Sequence, residues 1–182
     1  MIQTEVQPDY AAVTKLQQKT WGSGDFAVIA RSIVPVSEAL VASADPHAGQ
    51  RVLDVACGSG NTALVAARRY CEVTGVDYVA SLLERGEERA AAEGTPNAFV
   101  EGDGEALPFV GRSFDFVLST FGVMFAPDQP RAAAELVRVC RRGGVIGLAS
   151  WTPEGAVGEF FRTVTRGVPP PPGLQPPAAW GT

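Results

Sequence analysis

Arg51-Val52-Leu53-Asp54-Val55-Ala56-Cys57-Gly58-Ser59-Gly60-Asn61 passes from an apolar run into two glycines set one residue apart. Thr62-Ala63-Leu64-Val65-Ala66-Ala67-Arg68 follows with helical composition. The stretch reads as a buried strand, a tight turn and a helix N-terminus. Glycine at 58 and 60 opens backbone conformations closed to residues with a Cβ, so the turn can pass close against a ligand. A strand–turn–helix of this kind opens α/β folds and predicts a nucleotide-type ligand at the turn.

Strand and helix patterns alternate downstream. Cys71 to Asp77 reads as a second strand ending in a carboxylate, and Ala98 to Gly102, Phe114 to Thr120 and Val145 to Trp151 as the third to fifth. Between the second and third, Val79, Leu82, Leu83, Gly86 and Ala90 share a helix face that Gly94 terminates, and Glu84, Arg85, Glu87, Glu88 and Arg89 read as its solvated side. Asp128 and Pro130 open another helix, carried by Ala133, Leu136, Val137 and Cys140 and closed by Arg141-Arg142-Gly143. Val157 to Val164 is helical, with Phe160 and Phe161. The fold class is α/β, a mostly parallel sheet with helices on both faces.

Two helical segments precede the first strand, one with Tyr10, Val13, Leu16 and Trp21, the other with Phe26, Ile29, Ile33, Val36 and Leu40. Asp25 is a candidate N-cap for the second, and Pro35 removes one of its hydrogen bonds. The prolines at 169–172 and 176–177 predict an extended tail. The chain divides into a helical cap (1–46), a core (47–167) and a Pro-rich tail (168–182).

With 182 residues the chain is expected to form one domain, and its net charge of −5 argues against a nucleic-acid surface. Cys57, Cys71 and Cys140 lie in apolar runs without metal spacing and read as small buried hydrophobes in a reducing cytoplasm, with no metal site expected. No signal segment or membrane span is read. His47, the single histidine, falls in the loop Asp45-Pro46-His47-Ala48-Gly49 and reads as solvated.

Gly58-Ser59-Gly60-Asn61-Thr62-Ala63 also fits the dinucleotide pattern G-x-G-x-x-A, with Asp77 about 20 residues on. Asp54 separates the possibilities. A carboxylate near the turn repels a pyrophosphate but attracts the ammonium and sulfonium of S-adenosylmethionine. A purely local bond from Asp54 to the turn backbone remains the alternative.

Val52-Leu53-Asp54-Val55-Ala56-Cys57-Gly58-Ser59-Gly60 resembles the first motif of class I S-adenosylmethionine-dependent methyltransferases, with the closest likeness to the small-molecule branch (methyltransferase type 11) of quinone-biosynthesis C-methyltransferases. The resemblance, good over about residues 50 to 155, implies a Rossmann-like core. It sets Ala56, Gly58, Gly60 and Asn61 against the methionine and ribose of the cofactor and Asp77, followed by Tyr78, at the ribose hydroxyls. Asp103, Gly104 and Glu105 resemble the adenine-side motif, although an ordinary capped turn also fits. Ser119, Thr120 and Phe121 fall at the carboxyl end of the fourth strand, where α/β sheets bind ligands. Trp21 and Phe125 are candidates for the acceptor side, with core packing the alternative.

The implied reaction is methyl transfer from S-adenosyl-L-methionine to a small molecule. It needs orientation and a dry site more than a base, and no residue pair points to a base, so the catalytic residue stays unassigned. A nicotinamide-dependent oxidoreductase and a non-catalytic cofactor-binding fragment remain the rival readings. Family members resemble a seven-stranded sheet, and only five strands are read here. A chain lacking the last two would leave the fifth strand as an edge open to self-association, and its activity alone would be in doubt.

Overall fold

A computed structural model describes residues 8–24 and 26–181. The Asp25 cap and the extreme N-terminus read above lie outside the described residues. Two helices, α1 (Tyr10–Gly22) and α2 (Phe26–Ala44), lead into β1 (Arg51–Val55), α3 (Asn61–Ala67), β2 (Glu72–Asp77), α4 (Ala80–Glu93), β3 (Ala98–Glu101) and β4 (Phe114–Thr120). A 3-10 turn (Val123–Phe125), α5 (Gln129–Val139), β5 (Cys140–Ala149), α6 (Ala156–Gly167) and a second 3-10 turn (Pro177–Gly181) complete the chain.

The five strands form one parallel sheet in the order β3-β2-β1-β4-β5. Connections leave β1 in opposite directions, so the crevice between the carboxyl ends of β1 and β4 is the topological switch point at which such sheets take ligands. Strand alternation builds a core on each face. Leu53, Val55 and Val117 pack with Leu136 and Val139 of α5, whereas Val52, Phe116 and Leu118 pack with Val41 of α2 and Ala63 and Ala66 of α3. Double-sided burial explains why these strands read as continuous apolar runs.

Local signals act at three helix ends, at Asp128 and Gly94 as read and at Asp9 without having been read. Asp9 Oδ1 accepts from Ala12 N at 3.0 Å, Asp128 Oδ1 accepts from Arg131 N at 3.1 Å, and Gly94 ends α4 at φ 67°. At α5 the reading differs. The helix stops at Val139, and Arg141-Arg142 belong to β5, whose pairing with β4 shifts between Phe114 and Phe116. Gly144 permits that bulge, since a Cβ there would lie 2.6 Å from Asp115 O, and Arg141 is drawn across to the Asp115 carboxylate.

One packing knob fixes the glycine turn from behind. A Cβ added at Gly60, Gly75 or Gly86 would lie 2.9, 2.9 or 2.7 Å from the Phe99 ring, so glycines of the turn, β2 and α4 together form the slot that ring fills. Gly86→Ala therefore sets two effects against each other. Alanine favours a helix interior by about 1 kcal/mol over glycine, but overpacking a filled site costs about 1–3 kcal/mol. Because two other glycine walls block the ring's retreat, a net loss of about 1 kcal/mol or more is expected in urea denaturation. A stabilised Gly86→Ala variant would show that the slot yields.

Candidate functional site

A cavity of about 500 Å³ opens at the carboxyl ends of β1, β2 and β4, under α2 and the end of α1. A shallower depression of about 720 Å³ lies between α5 and the start of β5, but its Arg138 and Arg141 are already engaged by Glu135 and Asp115, and no buried carboxylate faces it. The strand-end cavity is bordered by the buried acids Asp54 and Asp77, and it is there that chemistry can be read.

The floor is backbone held in unusual conformations. Ala56 ends β1 at φ 52°, and Phe121 ends β4 at φ 58°, both in the left-handed region that residues with a Cβ seldom enter. The two ends are pressed together, because a Cβ at Gly122 would lie 2.5 Å from Ala56 O. Gly58, at φ 54°, has nothing within 4 Å of where its Cβ would be and borders the cavity, so its bare backbone faces the open space.

Three carboxylates gather at this floor. Asp54, 1% exposed, accepts a hydrogen bond from Ala63 N at Oδ2 (2.9 Å) and also borders the cavity. Burial is the main cause that drives its pKa up to about 8, with the charge of Asp77 adding to it. Asp77 binds the turn from the next strand. Its Oδ2 accepts from Gly58 N and its Oδ1 from Val79 N, each at 2.9 Å. Burial raises its pKa too, against the lowering effect of these backbone donors. Asp103 Oδ1 accepts from Glu105 N at 2.9 Å within its turn, and the residue borders the cavity with Gly104. Tyr78 lines the same region, its phenol pushed upward by burial and then by the charges of Asp77, Asp103 and Glu105. Burial likewise raises the Cys57 thiol, the charges of Asp54 and Asp77 contributing further.

Thr120 continues this wall by a route the sequence hid. Its hydroxyl lies 2.8 Å from that of Thr62, which donates to Ser37 on α2 at 3.2 Å. Ser37 belongs to the roof, where Phe26, Ile29, Ala30, Ile33 and Ser37 recur along one face of α2. That helical period was legible, but which surface it covers was not.

Aromatic rings close the far side. Trp21 meets Phe26 and Phe125 edge to face at 5.0 and 5.1 Å, and Phe125 meets Phe161 at 5.9 Å. Phe121 stacks on Trp151 at 3.9 Å. Trp21 and Phe125 thus both border the cavity, as does Asn61.

Gly60, Glu105 and Ser119 do not border it. Gly60 abuts Phe99. Glu105 accepts from Asp128 N at 2.7 Å, and its carbonyl accepts from Arg131 Nε at 2.8 Å, fastening the start of α5. Ser119 donates to Val55 O at 2.7 Å and accepts from Val123 N at 3.0 Å, tying β4 to β1.

Arg89 corrects the reading of α4. It is half-buried, not solvated, and reaches the turn, where its Nη1 donates to Ser59 O, Ser59 Oγ and Asn61 Oδ1 at 2.5, 3.2 and 2.9 Å.

The family model described as a methyltransferase domain matches residues 52–144. An uncharacterized protein of Mycobacterium tuberculosis is 45% identical over 90% of this chain and 60% of its own length. A ubiquinone/menaquinone biosynthesis C-methyltransferase of Allorhizobium ampelinum is 40% identical over 59% of this chain and 44% of its own. Among solved structures, the YcgJ protein of Bacillus subtilis superposes with a TM-score of 0.64 at 29% identity, covering 77% of this chain and 61% of that one. The chain thus spans about 60% of the length of the mycobacterial relative.

Proposed function

The chain belongs to the methyltransferase domain family, and from that premise we propose that its strand-end cavity takes S-adenosyl-L-methionine and that a small apolar acceptor receives the methyl group. The observation that carries the proposal is the buried Asp54 carboxylate at the glycine turn. An ammonium would relieve the cost of ionising this buried acid, which an anionic pyrophosphate could only increase.

The residues present fit this cofactor. Gly58 leaves bare backbone at the cavity, and Asp54 offers a partner to a cation. Asp77 spends one lone pair of each oxygen on a backbone N–H, and a carboxylate has about four such sites, so it can still accept from ribose hydroxyls. Asp103 would accept from the adenine amine, beside the backbone of Gly104. Gly60 and Ser119 serve from behind, by shaping the turn and joining β1 to β4, and Glu105 by bracing the loop that carries Asp103.

When bound, S-adenosyl-L-methionine supplies a methyl group already activated on a sulfonium centre. The protein's share is orientation and exclusion of water. Trp21, Phe26, Phe125 and Phe161 form an apolar wall suited to a flat acceptor, and Phe121 stacked on Trp151 stiffens the opposite side. The likeness to a quinone-biosynthesis enzyme supports an acceptor of quinol or phenol type. Among the described residues no helix is long and apolar enough to cross a membrane.

Calorimetric titration with S-adenosylhomocysteine and, separately, NAD tests the cofactor reading. Saturable binding of the first and none of the second is expected, and the reverse would overturn it. Methyl transfer to a panel of quinols and phenols tests the acceptor. A further expected result concerns Asp103→Ala. Losing one charge-assisted hydrogen bond should weaken S-adenosylhomocysteine by about 10- to 100-fold, but should leave a purine analogue lacking the exocyclic amine almost unaffected. Equal losses for both ligands would restrict Asp103 to its turn.

A further inference from the structure

The glycine turn is fastened to the roof of the cavity by a single side-chain amide. Asn61 Nδ2 donates to Ala30 O of α2 at 2.8 Å, while Asn61 Oδ1 accepts from Arg89 Nη1 of α4 at 2.9 Å. A guanidinium can only donate, so Arg89 fixes which way the Asn61 amide points: oxygen toward α4, nitrogen toward α2. The same Nη1 also holds both oxygens of Ser59, within the turn itself. Arg89 therefore grips the turn and aims the one group through which residue 61 reaches the roof. Burial lowers the Arg89 pKa, and the carboxylate of Glu93 opposes that shift. A half-buried cation held by three acceptors of the turn is costly to desolvate, which calls for a role beyond solubility.

Ala30 sits among the α2 residues that border the cavity, two turns before Ser37, whose hydroxyl is met by Thr62 next to Asn61. The roof thus rests on α3's first two residues at two points along one face. Any ligand that loads the backbone between Gly58 and Asn61 also loads the Ala30 bond.

We propose that Arg89 is a positioning residue that, through Asn61, couples occupancy of the cofactor site to closure of the α2 roof over the acceptor side. The inference rests on the cavity being a cofactor site. Breaking either link, Arg89 to Asn61 or Asn61 to Ala30, loosens the roof selectively and uncouples it from the ligand, without loosening the sheet. Coupled sites of this kind typically shift equilibria about fivefold or more.

Amide hydrogen exchange on the full chain, with and without S-adenosylhomocysteine, tests it. In the ligand-free wild type, α2 amides from residue 28 to 40 are expected to slow by about fivefold or more when the ligand is added. Arg89→Met removes the grip and the aim together. Asn61→Asp keeps an acceptor for Arg89 but has no donor for Ala30 O, so it cuts the roof bond alone. Both variants should exchange faster than wild type in α2 before any ligand is present, by about fivefold, with β1 and β4 unchanged. Both should also lose the ligand-induced protection of α2 while keeping that of β1. Full ligand-induced protection in both variants overturns the proposal, and loss in Arg89→Met alone overturns the route through Asn61. If α2 of the wild type does not respond although calorimetry records binding, the coupling is wrong and the cofactor reading stands. If calorimetry records no binding, the cofactor reading fails, and unchanged α2 exchange in the ligand-free variants would then reject the Arg89 hitch as well.

Discussion

Asp54→Asn is expected to weaken S-adenosylhomocysteine by about a hundredfold and, in the same protein, to raise the stability of the ligand-free chain as pH increases. Both effects come from one buried carboxyl. Its folded pKa of about 8 lies far above the unfolded value, so the folded state holds a proton over a range in which the unfolded state has lost it. The stability this proton brings is fully present below about pH 4 and is lost as pH rises through about 8. Asparagine cannot ionise and still offers an oxygen to Ala63 N, so the variant keeps the local bond without the pH-dependent loss. Urea denaturation should find the two proteins similar near pH 4 and the variant ahead at pH 8. A wild type whose stability rises from pH 5 to 8 more steeply than that of Asp54→Asn would contradict the sign.

The ligand reverses the preference. An ammonium beside Asp54 stabilises the ionised form, so binding should release a proton, and affinity should climb by up to about tenfold per pH unit below pH 8. It should fall again once the ligand's own amino group is deprotonated at higher pH. Calorimetry in buffers of different ionisation enthalpy measures the released proton directly. In Asp54→Asn the acid-side limb should vanish. A wild type with flat affinity between pH 6 and 8 would show that the ligand amine lies elsewhere.

How far the sequence carried this depends on the range of the interactions involved. β1 and β4 were legible to within a residue or two because both faces of a central strand are buried and leave uninterrupted apolar runs. The glycine turn was legible because backbone constraints act over three or four residues. The start of β5 was not, since Arg141 and Arg142 have the charge expected at a helix end and only the Gly144 bulge against Asp115 shows that the strand has begun. The Pro-rich tail read as a simple extension, yet Trp180 packs against the core cluster that α5 and β4 share, and Gln129 Nε2 donates to Pro176 O at 3.2 Å. Ser37, Thr62 and Arg89 escaped notice for a common reason. Each is an unremarkable polar residue on its own helix and gains its role only when α2, α3 and α4 converge on the turn. No local pattern contains that convergence.

Asp77→Ala is expected to weaken S-adenosylhomocysteine by about ten- to several-hundred-fold, and the question is how much of the loss is direct. The carboxylate has two duties. It would accept from ribose hydroxyls, and it already accepts from Gly58 N and Val79 N, which pin the glycine turn to β2 and begin α4. Removing it strands two backbone donors at the cavity edge, each worth about 1–3 kcal/mol where water does not replace the partner. The variant should therefore lose stability as well as affinity, by about 2 kcal/mol or more in urea denaturation. Asp77→Asn is no remedy, because its amide nitrogen would confront one of the two N–H groups. A double-mutant cycle with 2′- and 3′-deoxy forms of S-adenosylhomocysteine separates the duties. If Asp77 binds the ribose, deleting a hydroxyl should cost the wild type about tenfold and the Asp77→Ala variant almost nothing. Equal costs in both proteins would assign the residue to the turn alone and leave the ribose without its proposed partner.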